Sequence, residues 1–360
     1  MPRQLRKYIV ISILFAVILV IIVINITFTF PAITSYHHDV QASLPIVKYF
    51  NSSVHVIYQL PPVRPYRGLV FVAHACTHGA YDFWHNSSSC PHCVGLTEEV
   101  SIIKRIIASG YVAVAASSSD RVYKCWQGPG GKDIEVIPNV LYQIRKELNL
   151  LQSPAFALGC SSGGPFVWLL ALRGFVDGVI VQSFSIGASL LSAAAHHPFP
   201  VTFNPMPKDK HTYAQVLGNI AALQAIDFPS DLVQVSPCGE LEVTVGYLVS
   251  RLGDLLSESD VVSIREELLA SGYVDATSNL LVKDPTVRGG ADDWRQVLTR
   301  RLQPQLLQKL DFTQGRSPLA KTLNRAWAFH EYCADYIEET LEWLLNRSHA
   351  AKLNFANIIV

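Results

Sequence analysis

Short apolar runs rich in β-branched residues recur between residues 54 and 205, and helical patterns separate most of them. The runs are VHVIYQL, GLVFVAH, YVAVAAS, AFALG, VDGVIVQS and FPVTFNP. The stretches EEVSIIKRIIASG, VIPNVLYQIRKELNLL and GPFVWLLALRG between them have helical character. Continuously apolar strands that alternate with helices are typical of a mostly parallel sheet with helices on both faces. The sequence therefore predicts an α/β fold for this part of the chain.

An uncharged apolar stretch, YIVISILFAVILVIIVINITFTF, occupies residues 8–30 and is long enough to cross a hydrocarbon core of about 30 Å. Arg3, Arg6 and Lys7 precede it, while Lys48 is the first cation after it. By the positive-inside rule, the first residues stay in the cytosol. A cleaved signal peptide is the alternative, but its apolar core usually spans about 7–15 residues. We expect a single-pass type II membrane protein with a lumenal or extracellular body.

Two further features bear on location and partners. Sequons at Asn51, Asn86 and Asn346 fit a glycosylated body in the secretory pathway. Lys plus Arg and Asp plus Glu both number 29, and this balance argues against a nucleic-acid partner, which would want a basic patch.

Composition and periodicity divide the chain into seven predicted segments. The helical insertion or cap is centred on LVSRLGDLLSESDVVSIREELLASGYV. The segments are a cytosolic tail (1–7), a transmembrane signal anchor (8–30), a stem (31–53), the α/β core (54–212), the helical insertion (213–318), the C-terminal part of the core (319–348) and a tail (349–360).

The sequence GCSSG at residues 159–163 matches G-x-S-x-G, directly after a predicted strand and before a predicted helix. This is the context of a nucleophile elbow, a tight turn that exposes a serine and needs little bulk on either side. Ser161 has Gly159 and Gly163 two residues away, whereas Ser162 has a cysteine two residues before it. Ser161 is therefore the predicted nucleophile, and Ser162 is better placed to offer its backbone N–H to an oxyanion.

A serine nucleophile needs a base and an acid, which follow it in the order acid then histidine in this kind of fold. Asp209 follows the FPVTFNP run, although it could be a solvated loop charge. His330 precedes the last long helix, although it could be a packed histidine, and no clear strand precedes it. The 121 residues between them either build a cap or mean that one assignment is wrong. The less suitable histidines are His196, His197, His211 and His349.

The stretch HACTHGAYDFW at residues 74–84 and the GCSSGG elbow resemble polyhydroxybutyrate-depolymerase-like and feruloyl-esterase-like members of the α/β-hydrolase superfamily. The longer string HACTHGAYDFWHNSSSCPHCVGLTEE resembles an uncharacterised family of α/β-hydrolase-like proteins in plants and protists. The resemblance covers about residues 54–209 plus the His330 helix. It implies the α/β-hydrolase fold, with an oxyanion hole formed by Ala75 or Cys76 together with Ser162. Ala75 stands where those esterases have glycine, which is compatible if its φ is negative.

Seven cysteines allow three interpretations. Disulfides among Cys76, Cys90, Cys93 and Cys125 fit an oxidising lumen, with Cys160 buried and free. A zinc site from Cys76, Cys90, Cys93 and His78 is a second possibility, weakened by the lack of a second C-x2-C pair. The CPHC sequence at residues 90–93 resembles a thioredoxin-type redox motif, but no strand directly precedes it.

These features together predict a membrane-anchored carboxylic-ester hydrolase that uses neither cofactor nor metal and acts on a small-molecule or polymer ester. A catalytically silent receptor or scaffold with the same fold is the main alternative, because fold alone does not give activity. An acyltransferase and a CPHC-based disulfide oxidoreductase are further alternatives.

Overall fold

A computed structural model describes residues 43–50, 54–290, 293–310 and 317–358, with an eight-stranded sheet at its centre. The spatial order is β1-β2-β4-β3-β5-β6-β7-β8. β2 runs antiparallel to both of its neighbours, β1 and β4, and every other pair is parallel. The predicted mostly parallel sheet is confirmed. The strands are β1 (Ile46–Phe50), β2 (Val54–Gln59), β3 (Gly68–Ala73), β4 (Tyr111–Ala116), β5 (Ala155–Cys160), β6 (Gly178–Gln182), β7 (Val201–Asn204) and β8 (Val233–Val235).

Helices cover both faces of this sheet, because its central strands are apolar on both sides. One face packs against α2, α3, α4 and α5, and the other against α1 and the start of α11. These helices are α1 (Thr97–Ala108), α2 (Lys132–Glu147), α3 (Gly163–Leu172), α4 (Ala188–Ala194), α5 (Lys210–Ala225) and α11 (Ile337–Ile358).

A helical region with its own apolar core lies between β8 and α11. Its core includes the fully buried Trp294 and Leu323. The helices are α6 (Val245–Leu252), α7 (Glu258–Ala270), α8 (Trp294–Arg301), α9 (Pro304–Leu310) and α10 (Pro318–Trp327).

The two edge strands lie outside the predicted core. β8 falls inside the segment 213–318 that we expected to be a helical insertion, and β1 falls inside the expected stem. The sheet therefore extends further along the chain in both directions than the sequence indicated. Both strands lie at the edges of the sheet and none of their residues is buried, so neither has the continuous buried apolar run by which the central strands were predicted.

Buried ion pairs join the helical region to the core. Arg251 on α6 places Nε 2.5 Å from Oε1 of Glu98 on α1 and Nη2 2.9 Å from Oδ1 of Asp335. Asp335 also accepts from Arg325 on α10, and Glu98 accepts from the backbone N–H of Ala334. Burying charges is unfavourable unless they are paired, so this set fixes how α6 and α10 sit against the core.

The predicted anchor, residues 8–30, lies outside the described residues, as do the sequon at Asn51 and most of the stem. Within the residues that the structure describes, no helix combines the length and apolar character needed to cross a membrane. The described cysteines form three disulfides and one buried free thiol, at Cys160: the pairs are Cys76–Cys125, Cys90–Cys93 and Cys238–Cys333.

Candidate active site

The elbow is the turn between β5 and α3, and Ser161 occupies its tip with φ at 51°. Few residues other than glycine adopt this left-handed conformation, so the surrounding structure must hold it in place. A Cβ at Gly159 would lie 2.1 Å from the carbonyl oxygen of Gly163, and one at Gly163 would lie 2.4 Å from that of Ala73. Both glycines are therefore required by close backbone contacts.

Ser161, Asp209 and His330 come together at the carboxyl edge of the sheet. His330 Nε2 lies 3.2 Å from Ser161 Oγ, and His330 Nδ1 lies 2.8 Å from Asp209 Oδ2. Since a carboxylate only accepts, Nδ1 carries the proton that is donated to Asp209, and Nε2 is left to accept from the serine hydroxyl. The His330 side chain is 38% exposed, so a ligand can reach it from solvent.

Asp209 is held by the start of α5, where it is the N-cap. Its Oδ1 accepts from the backbone N–H of Thr212 at 3.1 Å. Partial burial would raise the pKa of Asp209, but the hydrogen bonds from Thr212 and His330 outweigh it and lower the pKa. The carboxylate is therefore ionised at neutral pH and oriented toward His330.

The neighbouring serine does not join this arrangement through its side chain. Ser162 Oγ is buried, and no group among the described residues hydrogen-bonds to it. Ser162 caps the N-terminus of α3, so its own backbone N–H lies at the positive end of that helix. Ser161 thus presents its hydroxyl to His330, whereas Ser162 presents its backbone N–H at the start of α3.

His330 lies in a loop between α10 and α11, which we call the base loop (residues 328–336). Among the described residues, no strand lies between β8 and this loop, and His330 itself has a φ of 41°. Side chains at the end of β6 hold its backbone, because Gln182 exchanges two hydrogen bonds with Cys333 and Ser183 donates to the carbonyl of Glu331. The Cys238–Cys333 disulfide ties the loop to the segment after β8.

The loop after β3 contains two of the three predicted oxyanion donors. The N–H of Ala75 donates to the hydroxyl of Tyr332 at 2.7 Å, so it is already occupied by the base loop. Ala75 has no positive φ, and alanine is therefore tolerated there. Within the described residues, the N–H groups of Cys76 and Ser162 donate to no partner. Cys76 is fixed by its disulfide to Cys125.

Behind this loop lies a set of titratable side chains that we call the buried ion cluster: His78, Asp82, Glu99, Lys321 and Glu331. His78 Nδ1 lies 3.1 Å from Glu99 and 3.4 Å from Asp82, and Lys321 Nζ lies 3.1 Å from Glu331. Burial would lower the pKa of His78, but the two carboxylates raise it to about 9. The cluster connects the loop after β3 to α10 and the base loop.

Sequence reasoning missed the residues that support the site. Their partners lie more than 200 positions away or on another element, and no local sequence pattern predicts such contacts. These residues are Tyr332, Lys321 and Glu331. Cys238–Cys333 was also not anticipated. Asp209 and His330 could be chosen as candidates from the sequence, because the expected chain order of serine, acid and histidine left few residues to consider.

The structure favours the disulfide interpretation of the cysteines over the redox and zinc interpretations. Cys90 and Cys93 are paired with each other and almost fully buried, whereas the reactive thiol of a redox motif is partly exposed. The same pairing and Cys76–Cys125 take up the sulfurs that a zinc site would use. In the described ranges, no group of three or more His, Cys, Asp or Glu side chains is arranged to hold a metal ion.

No family model and no curated protein matches this chain. Among solved structures, a thermostable esterase is 12% identical at a TM-score of 0.39, over 55% of this chain and 54% of that one. A highly thermostable carboxyl esterase from Bacillus coagulans is 12% identical at a TM-score of 0.39, over 54% of this chain and 89% of that one. A poly(3-hydroxybutyrate) depolymerase from Bordetella parapertussis is 14% identical at a TM-score of 0.38, over 54% of this chain and 83% of that one. The chain thus spans about half the length of the first of these.

The fold is identified from the molecule itself. A mostly parallel sheet has one reversed strand near its edge, and the elbow follows β5 and opens α3. A Ser, an Asp and a His follow one another along the chain in the order of that architecture. This chain has the α/β-hydrolase fold.

Proposed function

We propose that the protein is a serine hydrolase that cleaves a carboxylic ester, with Ser161 as nucleophile, His330 as base and Asp209 as the acid that orients it. The observation that carries the proposal is the continuous hydrogen-bonded line from Ser161 Oγ through His330 to Asp209, with distances of 3.2 and 2.8 Å. Three separate elements supply these residues, so the line does not arise from local sequence. Distances in this range suit proton transfer from a hydroxyl to imidazole.

In the first step, Ser161 Oγ attacks the ester carbonyl carbon while His330 Nε2 takes the hydroxyl proton. The imidazolium that forms is stabilised by Asp209, which stays ionised. His330 then gives the proton to the leaving alkoxide oxygen, and an alcohol departs from the acyl-serine. Water then attacks the acyl carbon while His330 Nε2 takes its proton. As the bond from that carbon to Ser161 Oγ breaks, His330 gives the proton to Ser161 Oγ and the carboxylic acid is released. If another alcohol replaces water in that step, the same residues perform acyl transfer.

The negative oxygen of the tetrahedral intermediate needs fixed donors. The backbone N–H groups of Ser162 and Cys76 suit this role, since neither is engaged by other described groups. Ala75 does not donate to the oxyanion, because its N–H donates to the Tyr332 hydroxyl; that hydrogen bond holds the loop that carries Cys76. Because both donors are backbone groups, the oxyanion hole survives most changes of their side chains.

The test is labelling of the full-length protein with a fluorophosphonate probe, followed by hydrolysis of a panel of carboxylic esters. We expect one label per chain, mapped by mass spectrometry to Ser161. A folded protein that takes no label and hydrolyses no ester would contradict the enzyme proposal and favour the silent receptor or scaffold. Product analysis in the presence of an added alcohol distinguishes hydrolysis from acyl transfer.

We further infer that the hydrolase body lies in the lumen or outside the cell, tethered by residues 8–30. The cation bias around that stretch supports this, and three disulfides fit an oxidising compartment. Of the three sequons beyond the apolar stretch 8–30, those at Asn86 and Asn346 are exposed on the described surface. Protease treatment of sealed microsomes should leave the body intact, and a glycosidase should increase its mobility. Complete digestion in sealed vesicles would contradict this topology.

A further inference from the structure

A pocket of about 220 Å³ lies beside the elbow, on the side of Ser162. Trp126 and Phe166 stack in its wall, with ring centroids 4.3 Å apart, and both side chains are buried. A wall built from stacked buried rings does not rearrange easily to admit a larger guest. The residues that line the pocket, apart from the loop 127–129, are Trp126, Ser162, Pro165, Phe166, Phe184 and Leu190.

The position of His330 indicates which part of an ester this pocket receives. The leaving oxygen must lie within reach of His330 Nε2, which protonates it, so the alcohol portion leaves on the base-loop side. The described lining residues come from α3, α4 and the loops after β4 and β6, and none comes from the base loop or α10. The acyl portion, which leaves the carbonyl carbon in another direction, is the part that faces this pocket.

The volume limits what fits. A dry cavity of about 150 Å³ lined by aliphatic and aromatic side chains holds one benzene. At about 220 Å³, the present pocket exceeds that by roughly half, and it is smaller than the pockets of about 300–1,000 Å³ that hold drug-sized ligands. An alkyl or aryl group of about six to eight carbons therefore fills it.

The chemistry of the lining restricts the guest further. Six of the nine lining residues are aromatic, aliphatic or proline, and none carries a charge. A charged or strongly hydrated acyl group would lose its water here without gaining a partner, which is unfavourable. An apolar chain instead gains from every methylene that it buries.

We propose that this pocket is the acyl subsite and that the preferred substrates are esters of apolar acids of about six to eight carbons. The inference rests on the proposed ester hydrolase function, because it uses the direction in which His330 protonates the leaving group. Each added methylene contributes about 0.8 kcal/mol, which is about a fourfold gain per carbon until the pocket is full. Beyond that length, the gain stops or reverses.

The first experiment measures binding without catalysis. Straight-chain primary amides of two to ten carbons present the acyl part and the carbonyl, but they lack the ester leaving group. Calorimetric titration into the full-length Ser161→Ala protein should show affinity rising about fourfold per carbon to about six to eight carbons, then levelling or falling. Affinity that is independent of length, or that keeps rising to ten carbons, would overturn the proposal.

The second experiment changes the size of the pocket and follows kcat/KM for p-nitrophenyl esters of the same chain lengths. Leu190→Trp fills the pocket and should move the optimum to the acetate ester, with a loss of at least tenfold on the hexanoate. Phe184→Ala should move the optimum to longer chains. Ser189→Trp adds the same bulk at an exposed neighbouring position on α4 that does not line the pocket, and it should leave the profile unchanged.

The two experiments separate failure of the subsite from failure of the function. If amides bind with the expected length optimum but no ester is hydrolysed and no fluorophosphonate label appears, the subsite stands and the hydrolase proposal fails. If esters are hydrolysed with the same length profile in Leu190→Trp and Ser189→Trp, the hydrolase proposal stands and the subsite is wrong.

Discussion

The elbow and the base loop supply the two ends of one hydrogen bond, between Ser161 and His330, yet they are held by opposite means. The elbow is fixed by its own backbone: the Ser161 N–H donates to Gln182 on the next strand, and the Gly164 N–H donates back to Ser161. The base loop is fixed by side chains from β6, by a disulfide and by the buried ion cluster. One end of the site is therefore local in origin, and the other depends on contacts across the whole fold.

This difference predicts how each loop fails. A change in the elbow meets neighbouring backbone that cannot move, so it disturbs folding as much as chemistry. A substitution among the residues that support the base loop removes one of several contacts, so the base loop stays in place. We expect only a displacement of His330 or greater mobility of the loop after β3. Damage to the elbow should be severe and abrupt, and damage around the base loop should be graded.

The largest effect is expected for the nucleophile itself. Ser161→Ala should lower kcat for ester hydrolysis by about 10⁴-fold or more, because the acyl-serine cannot form. Ser162→Ala should have a small effect, since alanine keeps the backbone N–H and the Ser162 hydroxyl has no partner in the described structure. Steady-state kinetics on both variants, with matched thermal melts, makes the comparison. An inactive Ser162→Ala beside an active Ser161→Ala would reverse the assignment.

Variants of His330 and Asp209, the partners of Ser161, should show smaller losses of activity than Ser161→Ala. His330→Ala should approach the loss seen for Ser161→Ala, because the three residues act as one unit. Asp209→Asn should fall somewhat short of it, since the carboxylate orients and stabilises the imidazole without touching the substrate. A loss below about tenfold for His330→Ala would show that another base serves Ser161.

The second prediction concerns the backbone of the elbow. Gly159→Ala places a Cβ 2.1 Å from the Gly163 carbonyl oxygen, and we expect it to destabilise the fold by about 3 kcal/mol or to prevent folding. Gly218 is a matched control inside α5, with open space around the added methyl group. Gly218→Ala should stabilise the protein by about 0.5–1 kcal/mol. Urea unfolding measures both, and equal effects at the two positions would contradict the elbow geometry.

The elbow was predictable from sequence because its determinants are neighbours: a strand, two glycines and a helix start within six residues. The six central strands were predictable for the same reason, since each is a short continuous apolar run. The support of His330 was not, because Gln182, Lys321 and Tyr332 are assigned their roles only by the packed structure. The edge strands β1 and β8 were not predicted because none of their residues is buried.

The third prediction tests the buried ion cluster through pH. The pKa of His78 is raised from 6.5 to about 9, so its charged form stabilises the fold. That contribution is fully present below about pH 6.5 and is lost as pH rises through about 9. The free energy of unfolding should fall by about 3 kcal/mol more between pH 6 and pH 10 in the wild type than in His78→Gln.

The exposed His92 lies outside the buried ion cluster, and His92→Gln provides the matched control substitution for that measurement. Urea unfolding at several pH values gives the comparison. If His78→Gln loses stability by the same amount at pH 6 and pH 10, His78 is uncharged in the folded protein. The cluster would then hold the loop after β3 by packing alone.

The smallest effect is expected where the base loop touches the loop after β3. Tyr332→Phe removes the hydroxyl that accepts from the Ala75 N–H and leaves that half-buried donor unpaired, which costs about 1–1.5 kcal/mol. Since Cys76 is the next residue, the loss should appear as a drop in kcat of about tenfold with KM nearly unchanged. Tyr336→Phe, at an exposed position of the same loop, should retain wild-type kinetics. A Tyr332→Phe protein that melts earlier but keeps its kcat would show that Tyr332 only stabilises the fold and does not position the oxyanion donors.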